Sequence, residues 1–128
     1  MFDIRSDQRA LMLRYVEWLE AHAREIAARR DIEIARWAQL TDSSPVLADA
    51  ALMAHLQAAA EALGASHITL PSGAGHDSAF LAQIAPMAML FVPSRDGKSH
   101  CPEEWTDAEA LAKGAAVLQA GIERFDGE

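Results

Sequence analysis

With a single cysteine, Cys101, the chain cannot close an internal disulfide, which agrees with a reducing compartment. Positive charge is scarce: 11 Lys and Arg stand against 19 Asp and Glu, a formal charge of -8. Such a field repels phosphate backbones and anionic lipid surfaces, so neither nucleic acid nor a membrane is an expected partner. No apolar run approaches the length that crosses a bilayer, and Met1-Phe2-Asp3-Ile4-Arg5 lacks the basic-then-hydrophobic layout of a secretory leader. A cytoplasmic location is expected. The chain also lacks internal repeats and low-complexity tracts.

What is present is apolar. Of 128 residues, 51% are hydrophobic, enough for a sizeable core in one ordinary domain. Phe2-Asp3-Ile4-Arg5 alternates as a strand does. Ser6 and Asp7 then suit a helix start, and Leu11, Tyr15, Trp18, Leu19, His22 and Ile26 recur at helical spacing to about Arg30. Residues 31–37 alternate again, and Trp18 and Trp37 are expected to pack the helix on its strands. Thr41-Asp42-Ser43-Ser44-Pro45 is the clearest break, reading as a cap followed by proline at the first helical position.

Residues 46–63 form an alanine-rich helix with Leu47, Ala51, Ala54, Ala58 and Ala62 on one side and Gly64 ending it. Ile68-Thr69-Leu70 is a brief extended piece. Asp77 caps a short helix to Ala85, stopped by Pro86, and residues 87–92 read as a buried strand. Thr106-Asp107-Ala108-Glu109 has the pattern of a capping box, opening a final helix whose inner stripe is Leu111, Ala115, Leu118, Ile122 and Phe125. Alternating strands and helices argue for an α/β fold. Its few strands leave open sheet edges, and the pattern reads as a piece of something larger.

Two loops carry the chemistry: Pro71-Ser72-Gly73-Ala74-Gly75-His76-Asp77, and Gly97-Lys98-Ser99-His100-Cys101-Pro102-Glu103-Glu104. Each places one histidine among small residues, where a side chain can reach a ligand without disturbing a core. Cys101 beside His100 invites a second-ligand reading, but adjacent residues of an extended loop point to opposite sides. His22, His55 and His67 have no motif around them and read as structural or surface residues.

The run from Leu70 to Asp77, the segment Met89 to Ser94, and the run from Gly97 to Glu104 closely resemble the C-terminal part of the hydantoinase/carbamoylase amidohydrolases. That branch includes N-carbamoyl-L-amino acid hydrolase, allantoate amidohydrolase and β-ureidopropionase, within the dinuclear zinc aminopeptidase/carboxypeptidase superfamily. Phe2 to Ser6 is similar to the strand opening the last part of the family's lid domain. The resemblance implies a fragment of a two-domain zinc-hydrolase fold. Residues 1–42 would be the strand-helix-strand of the lid or dimerisation domain, and residues 43–128 the helix-helix-strand-helix of the catalytic domain.

By the same resemblance Arg5 matches the lid arginine that clamps the substrate carboxylate, a task suited to a planar fork. His76 matches a histidine near the scissile carbonyl, placed to bind substrate or steady the oxyanion. His100 matches the family's last metal ligand, for zinc or manganese. Gly73 and Gly75 would let the backbone approach substrate and adopt conformations closed to other residues. Glu104 belongs to the loop signature and is expected to shape it by hydrogen bonding. Read without the family, Arg5 is a surface partner for Asp3 or Asp7, His76 satisfies a backbone group at the start of a helix, and His100 is a surface histidine.

The family's other metal ligands and its general base have no counterpart between Met1 and Glu128, so no metal is expected on this chain alone, nor turnover. The implied substrate is a small carbamoyl or ureido acid. A homo-oligomer, or a partner carrying the missing N-terminal half, is expected. A non-catalytic oligomeric remnant and one subunit of a split enzyme are the alternatives.

Overall fold

Helices dominate the chain, and they do so in two separate settings. The computed structural model describes residues 1–127. It divides into one unit of Met1–Leu47 with Pro71–Ala74, and another of Ala48–Leu70 with Gly75–Glu128.

In the first unit α1 spans Arg9–Arg29. It starts later than Ser6 suggested because the Ser6 hydroxyl accepts from the amide of Gln8 at 3.0 Å, spending the cap on a turn before the helix. The helix closes in a Schellman motif: Ile32 N donates to Ala27 O at 2.9 Å and Asp31 N to Ala28 O at 3.4 Å. Asp31 takes the left-handed position at φ 52°. Residues 31 and 32 are thereby used to end the helix, and the expected strand over 31–37 does not form.

The guanidinium of Arg9 grips the Asp42 carboxylate through two hydrogen bonds of 2.8 Å, tying the start of α1 to the segment that leaves the unit. Those bonds hold Asp42 below its ordinary carboxyl pKa. Trp37 packs against Phe2, ring centroids 6.4 Å apart. Trp18 instead stacks along α1, 5.4 Å from Tyr15 and 4.2 Å from His22, and is half exposed rather than covered by strands.

The second unit is organised by α2, Ala50–Ala62, and α4, Ala108–Asp126, which pack together. The start of α2 is set by Asp49, not by Ser44-Pro45: its Oδ1 accepts from Ala51 N at 3.0 Å and Leu52 N at 2.9 Å. Its end falls where expected, with Gly64 at φ 63° and Ala65 N donating to Ala60 O at 2.8 Å. The short α3, Ser78–Leu81, continues as turns to Ala85, whose amide donates to Leu81 O at 3.0 Å.

The core of the second unit is small: Ala59, Ala60 and Val117, with Ala65, Leu90 and Ala120 packed on it. The expected side of α2 is therefore displaced, since Ala51, Ala54 and Ala62 face outward. In α4 the covered line runs through Ala110, Gly114, Val117 and Gly121, while Leu111, Leu118, Ile122 and Phe125 of the expected stripe are about half exposed. Glycine explains the choice. A Cβ at Gly121 would sit 2.8 Å from Leu56 Cδ2, and one at Gly114 would overlap Val92 Cγ1, so the helix comes close only on that side.

No strand forms among the described residues. A strand needs a ladder partner, and residues 2–5, 31–37, 68–70 and 87–92 find none among the described residues. Residues 87–92 are anchored instead by single contacts, Asp49 N to Met87 O at 2.7 Å and Ser78 Oγ to Met89 Sδ at 3.2 Å. The hydrophobic 51% does not bury a sizeable core: Ala59, Ala60 and Val117 are the buried apolar residues of the described chain.

Candidate functional site

Arg5 is the most constrained of the candidate residues. Its Nε donates to both carboxylate oxygens of Asp3 at 3.2 Å, its Nη2 donates to Asp3 Oδ2 at 2.6 Å, and its Nη1 donates to the carbonyl of Gly73. Two neighbours thus hold three of the five N–H groups, leaving one each on Nη1 and Nη2. The hydrogen bonds, and then charge attraction, hold Asp3 below its ordinary pKa and raise that of Arg5. The structure therefore brings together Arg5 and Gly73, two of the residues singled out from sequence, 68 positions apart.

Gly73 contributes its carbonyl rather than an unusual backbone. Neither Gly73 nor Gly75 lies in the left-handed region, where the glycines are Gly64 and Gly97. A Cβ at either site would meet nothing within 4 Å, so both leave open space beside the chain. Ser72 Oγ accepts from Ala74 N at 3.3 Å and bends the loop between them.

His76 stands at the foot of α3. Its carbonyl accepts from Ala79 N at 3.0 Å, and its half-buried ring lies 5.7 Å from that of Phe91, tilted by 54°. Asp77 precedes the helix but makes no side-chain cap bond, since its own backbone is already helical at φ -60°, ψ -30°.

The His100 loop is braced at its base. Arg95-Asp96-Gly97-Lys98 is a tight turn closed by Lys98 N to Arg95 O at 3.1 Å, with Asp96 at φ 55° and Gly97 at φ 65°. Both central residues are left-handed, as in a type I′ turn, which suits an Asp-Gly pair. Arg95 N donates to Trp105 O at 2.8 Å, and the Arg95 guanidinium lies 5.7 Å from the centre of the Trp105 ring. Asp107 Oδ1 accepts from Trp105 Nε1 at 3.0 Å and from Arg95 Nη2 at 3.4 Å. The expected capping box of Thr106 and Glu109 does not form: α4 starts one residue later, with Asp107 in the cap position, and the Asp107 carboxylate, committed to the brace, makes no cap bond. The Asp-Gly pair was readable as a turn, whereas the Arg95–Trp105–Asp107 brace had no local sequence signal.

Within the loop His100 is exposed and left-handed at φ 57°. Its amide donates to Glu104 Oε2 at 2.7 Å, and Glu104 N donates to Cys101 O at 3.0 Å. Glu104 shapes the loop by hydrogen bonding, as its position suggested. A non-glycine residue in this conformation stores about 1 kcal/mol or more, held in place by such bonds.

A metal tests the same residues differently. Among the described residues no three His, Cys, Asp or Glu side chains converge as a cation site, so the donor set present does not fit one. No chemical step through a metal follows from this chain's residues.

Residues 8–124 match the sequence model of peptidase family M20/M25/M40. The chain is 36% identical over 124 residues to N-carbamoyl-L-amino-acid amidohydrolase of Paenarthrobacter aurescens, covering 97% of this chain and 30% of that protein. It is 34% identical over 123 residues to ureidoglycolate hydrolase of Arabidopsis thaliana, covering 96% and 26%. Allantoate amidohydrolase of Escherichia coli is 34% identical over 118 residues, with 91% and 28% covered. The crystal structure of AtUAH in complex with glyoxylate superposes with a TM-score of 0.76 at 30% identity, covering 94% of this chain and 29% of that one. The chain therefore spans between 26% and 30% of the length of these curated relatives.

Proposed function

The chain belongs to peptidase family M20/M25/M40, and from that premise we propose that it forms the carboxylate-holding part of an amidohydrolase acting on small carbamoyl or ureido acids. The observation that carries this reading is Arg5: a guanidinium held on one edge by Asp3 and on Nη1 by Gly73, with two N–H groups left over. Arginine holds a carboxylate through two N–H groups. The relatives named for N-carbamoyl amino acids, ureidoglycolate and allantoate support the substrate class.

In this reading residues 1–42 belong to a lid and residues 43–128 to a catalytic domain. Arg5, Gly73 and Gly75 bind substrate, His76 faces the scissile carbonyl and steadies the oxyanion, and His100 is the one metal ligand this chain offers, to zinc or manganese. Its remaining partners would have to come from other sequence, so the isolated chain binds the acid without hydrolysing it. Self-association is part of the same reading. Trp18 and Ile26 of α1 lie outside the substrate-facing residues and are about half exposed, apolar surface of the kind that seeks a partner. A homo-oligomer, or a partner polypeptide supplying the rest of the site, would cover it. The location would be cytoplasmic.

The test has two readouts. The isolated chain, supplied with zinc or manganese, should show no turnover of N-carbamoyl amino acids. Binding of N-carbamoylglycine should shift the Arg5 Nε–H resonance, and Arg5→Lys should weaken that binding about tenfold or more, the value of a charged bidentate contact. Turnover by the chain alone would overturn the inactivity, and unchanged affinity in Arg5→Lys would overturn the clamp.

A further inference from the structure

Arg5 is also part of a wall. A hollow of about 300 Å³ in the first unit is lined by Ile4, Arg5, Ser6, Leu11, Met12 and Tyr15. Its surface is almost wholly apolar, although Arg5 and Ser6 are among the residues that contribute to it. Ile4 and Met12 are half-buried, while Leu11 and Tyr15 are about half exposed and open to a ligand. We infer that this hollow receives the side chain of a substrate whose carboxylate is held by Arg5, which makes Ile4, Leu11 and Met12 specificity residues for acids with an aliphatic side chain.

The inference rests on the clamp reading above and narrows it. The two free N–H groups of Arg5 fix a carboxylate, and any substituent directed along the wall meets hydrocarbon. Each methylene removed from water there favours binding by about fourfold. A ureido or hydroxyl substituent would give up water at Ile4, Leu11 and Met12 without gaining a hydrogen bond. The Ser6 hydroxyl, already accepting from Gln8 N at 3.0 Å, is among the few polar groups on the wall. The volume lies at the lower end for small-molecule sites, of order 300 Å³, and suits one amino-acid side chain rather than a larger ligand.

The experiment titrates the whole chain with N-carbamoyl-leucine, N-carbamoylglycine and allantoate, following the Arg5 Nε–H signal and the methyl signals of Ile4, Leu11 and Met12. The expected result is that N-carbamoyl-leucine binds at least fivefold more tightly than either other acid and alone moves the three methyl signals. Leu11→Ala, at a half-exposed helix position, should cut the leucine-to-glycine ratio two- to fourfold while the Arg5 shift persists. Equal affinities with a shifted Arg5 signal and still methyl groups would overturn the inference and leave the clamp standing. An Arg5 signal that no acid moves would overturn both.

Discussion

Gly114 supplies a sharp test of how the second unit is held together. Replacing it by alanine sets two effects of opposite sign against each other. In a helix interior alanine is favoured over glycine by about 1 kcal/mol, so the substitution should stabilise α4 if nothing stands in the way. Here something does: the new Cβ would overlap Val92 Cγ1 and lie 3.5 Å from Leu90 Cδ2. Val92 is β-branched and stiff at χ1, so its methyl cannot swing aside cheaply. Overpacking of this kind costs about 1–3 kcal/mol. Deep overlap with a stiff side chain belongs in the upper part of that range, so the expected net loss for Gly114→Ala is roughly 1–2 kcal/mol.

Gly121→Ala is the internal comparison. Its Cβ would meet Leu56 Cδ2 at 2.8 Å, the flexible tip of a long side chain, with Leu56 Cα and Cγ at an ordinary 3.6 Å. Relaxation there is cheap, and the helix gain should about cancel it. Urea unfolding read from the α2 and α4 amides should place Gly114→Ala about 1–2 kcal/mol below Gly121→Ala. Adding Val92→Ala to the Gly114 variant should remove the clash and couple favourably by more than 0.5 kcal/mol in a double-mutant cycle. A Gly114→Ala protein as stable as Gly121→Ala would refute the close approach as the reason α4 presents its small residues inward.

Two further outcomes follow from named contacts. Asp49→Ala should cost about 0.5–2 kcal/mol in urea unfolding because two α2 amides lose their acceptor, whereas Ser44→Ala should stay within about 0.5 kcal/mol. The reverse order would return the cap to Ser44. The Arg9 hydrogen bonds depress the Asp42 pKa in the folded chain, so the pair's contribution is present above the unfolded carboxyl value of about 3.9 and is lost as pH falls through the lower folded value. A carbon-detected titration of the Asp42 carboxyl should have its midpoint below about 3.9, and a midpoint at or above it would refute the pairing in solution.

The helices were legible because their signals are local. Gly64 marks the end of α2 through its own backbone, and the apolar repeat from Leu11 to Ile26 runs through most of the 21-residue α1. Signals that depend on competition were misread. Ser44-Pro45 has the pattern of a cap, yet Asp49 has the carboxylate that reaches two amides. Thr106 has the pattern of a cap, yet α4 starts after Asp107, whose oxygen Trp105 and Arg95 take. The strands could not be read correctly from alternation alone, because a strand is made by its ladder neighbour and alternation states only which side is apolar. At the site, the Asp3–Arg5 pair is two residues apart and was among the readings, and Glu104 likewise. The Gly73 carbonyl on Arg5 is a tertiary contact with no local trace.

The misplaced face of α4 has a physical cause. A periodicity argument weights large side chains, and in α4 it selects Leu111, Leu118, Ile122 and Phe125; in α1 it selects Leu11, Tyr15, Trp18 and Ile26. Helices that approach closely do so through small residues, and α4 uses Gly114 and Gly121 against Val92 and Leu56. The large residues are then left on another side, each about half exposed, so α4 carries two apolar faces instead of one. A helix with a single core-facing stripe needs only its own unit; one with a second stripe of large side chains has surface to bury elsewhere. The exposed Trp18 and Ile26 of α1 are the surface on which the proposed association depends, and with Trp37 and Trp105 replaced by Phe the fluorescence of Trp18 should move to the blue as the chain concentration rises if a second copy covers it, and stay constant if it does not.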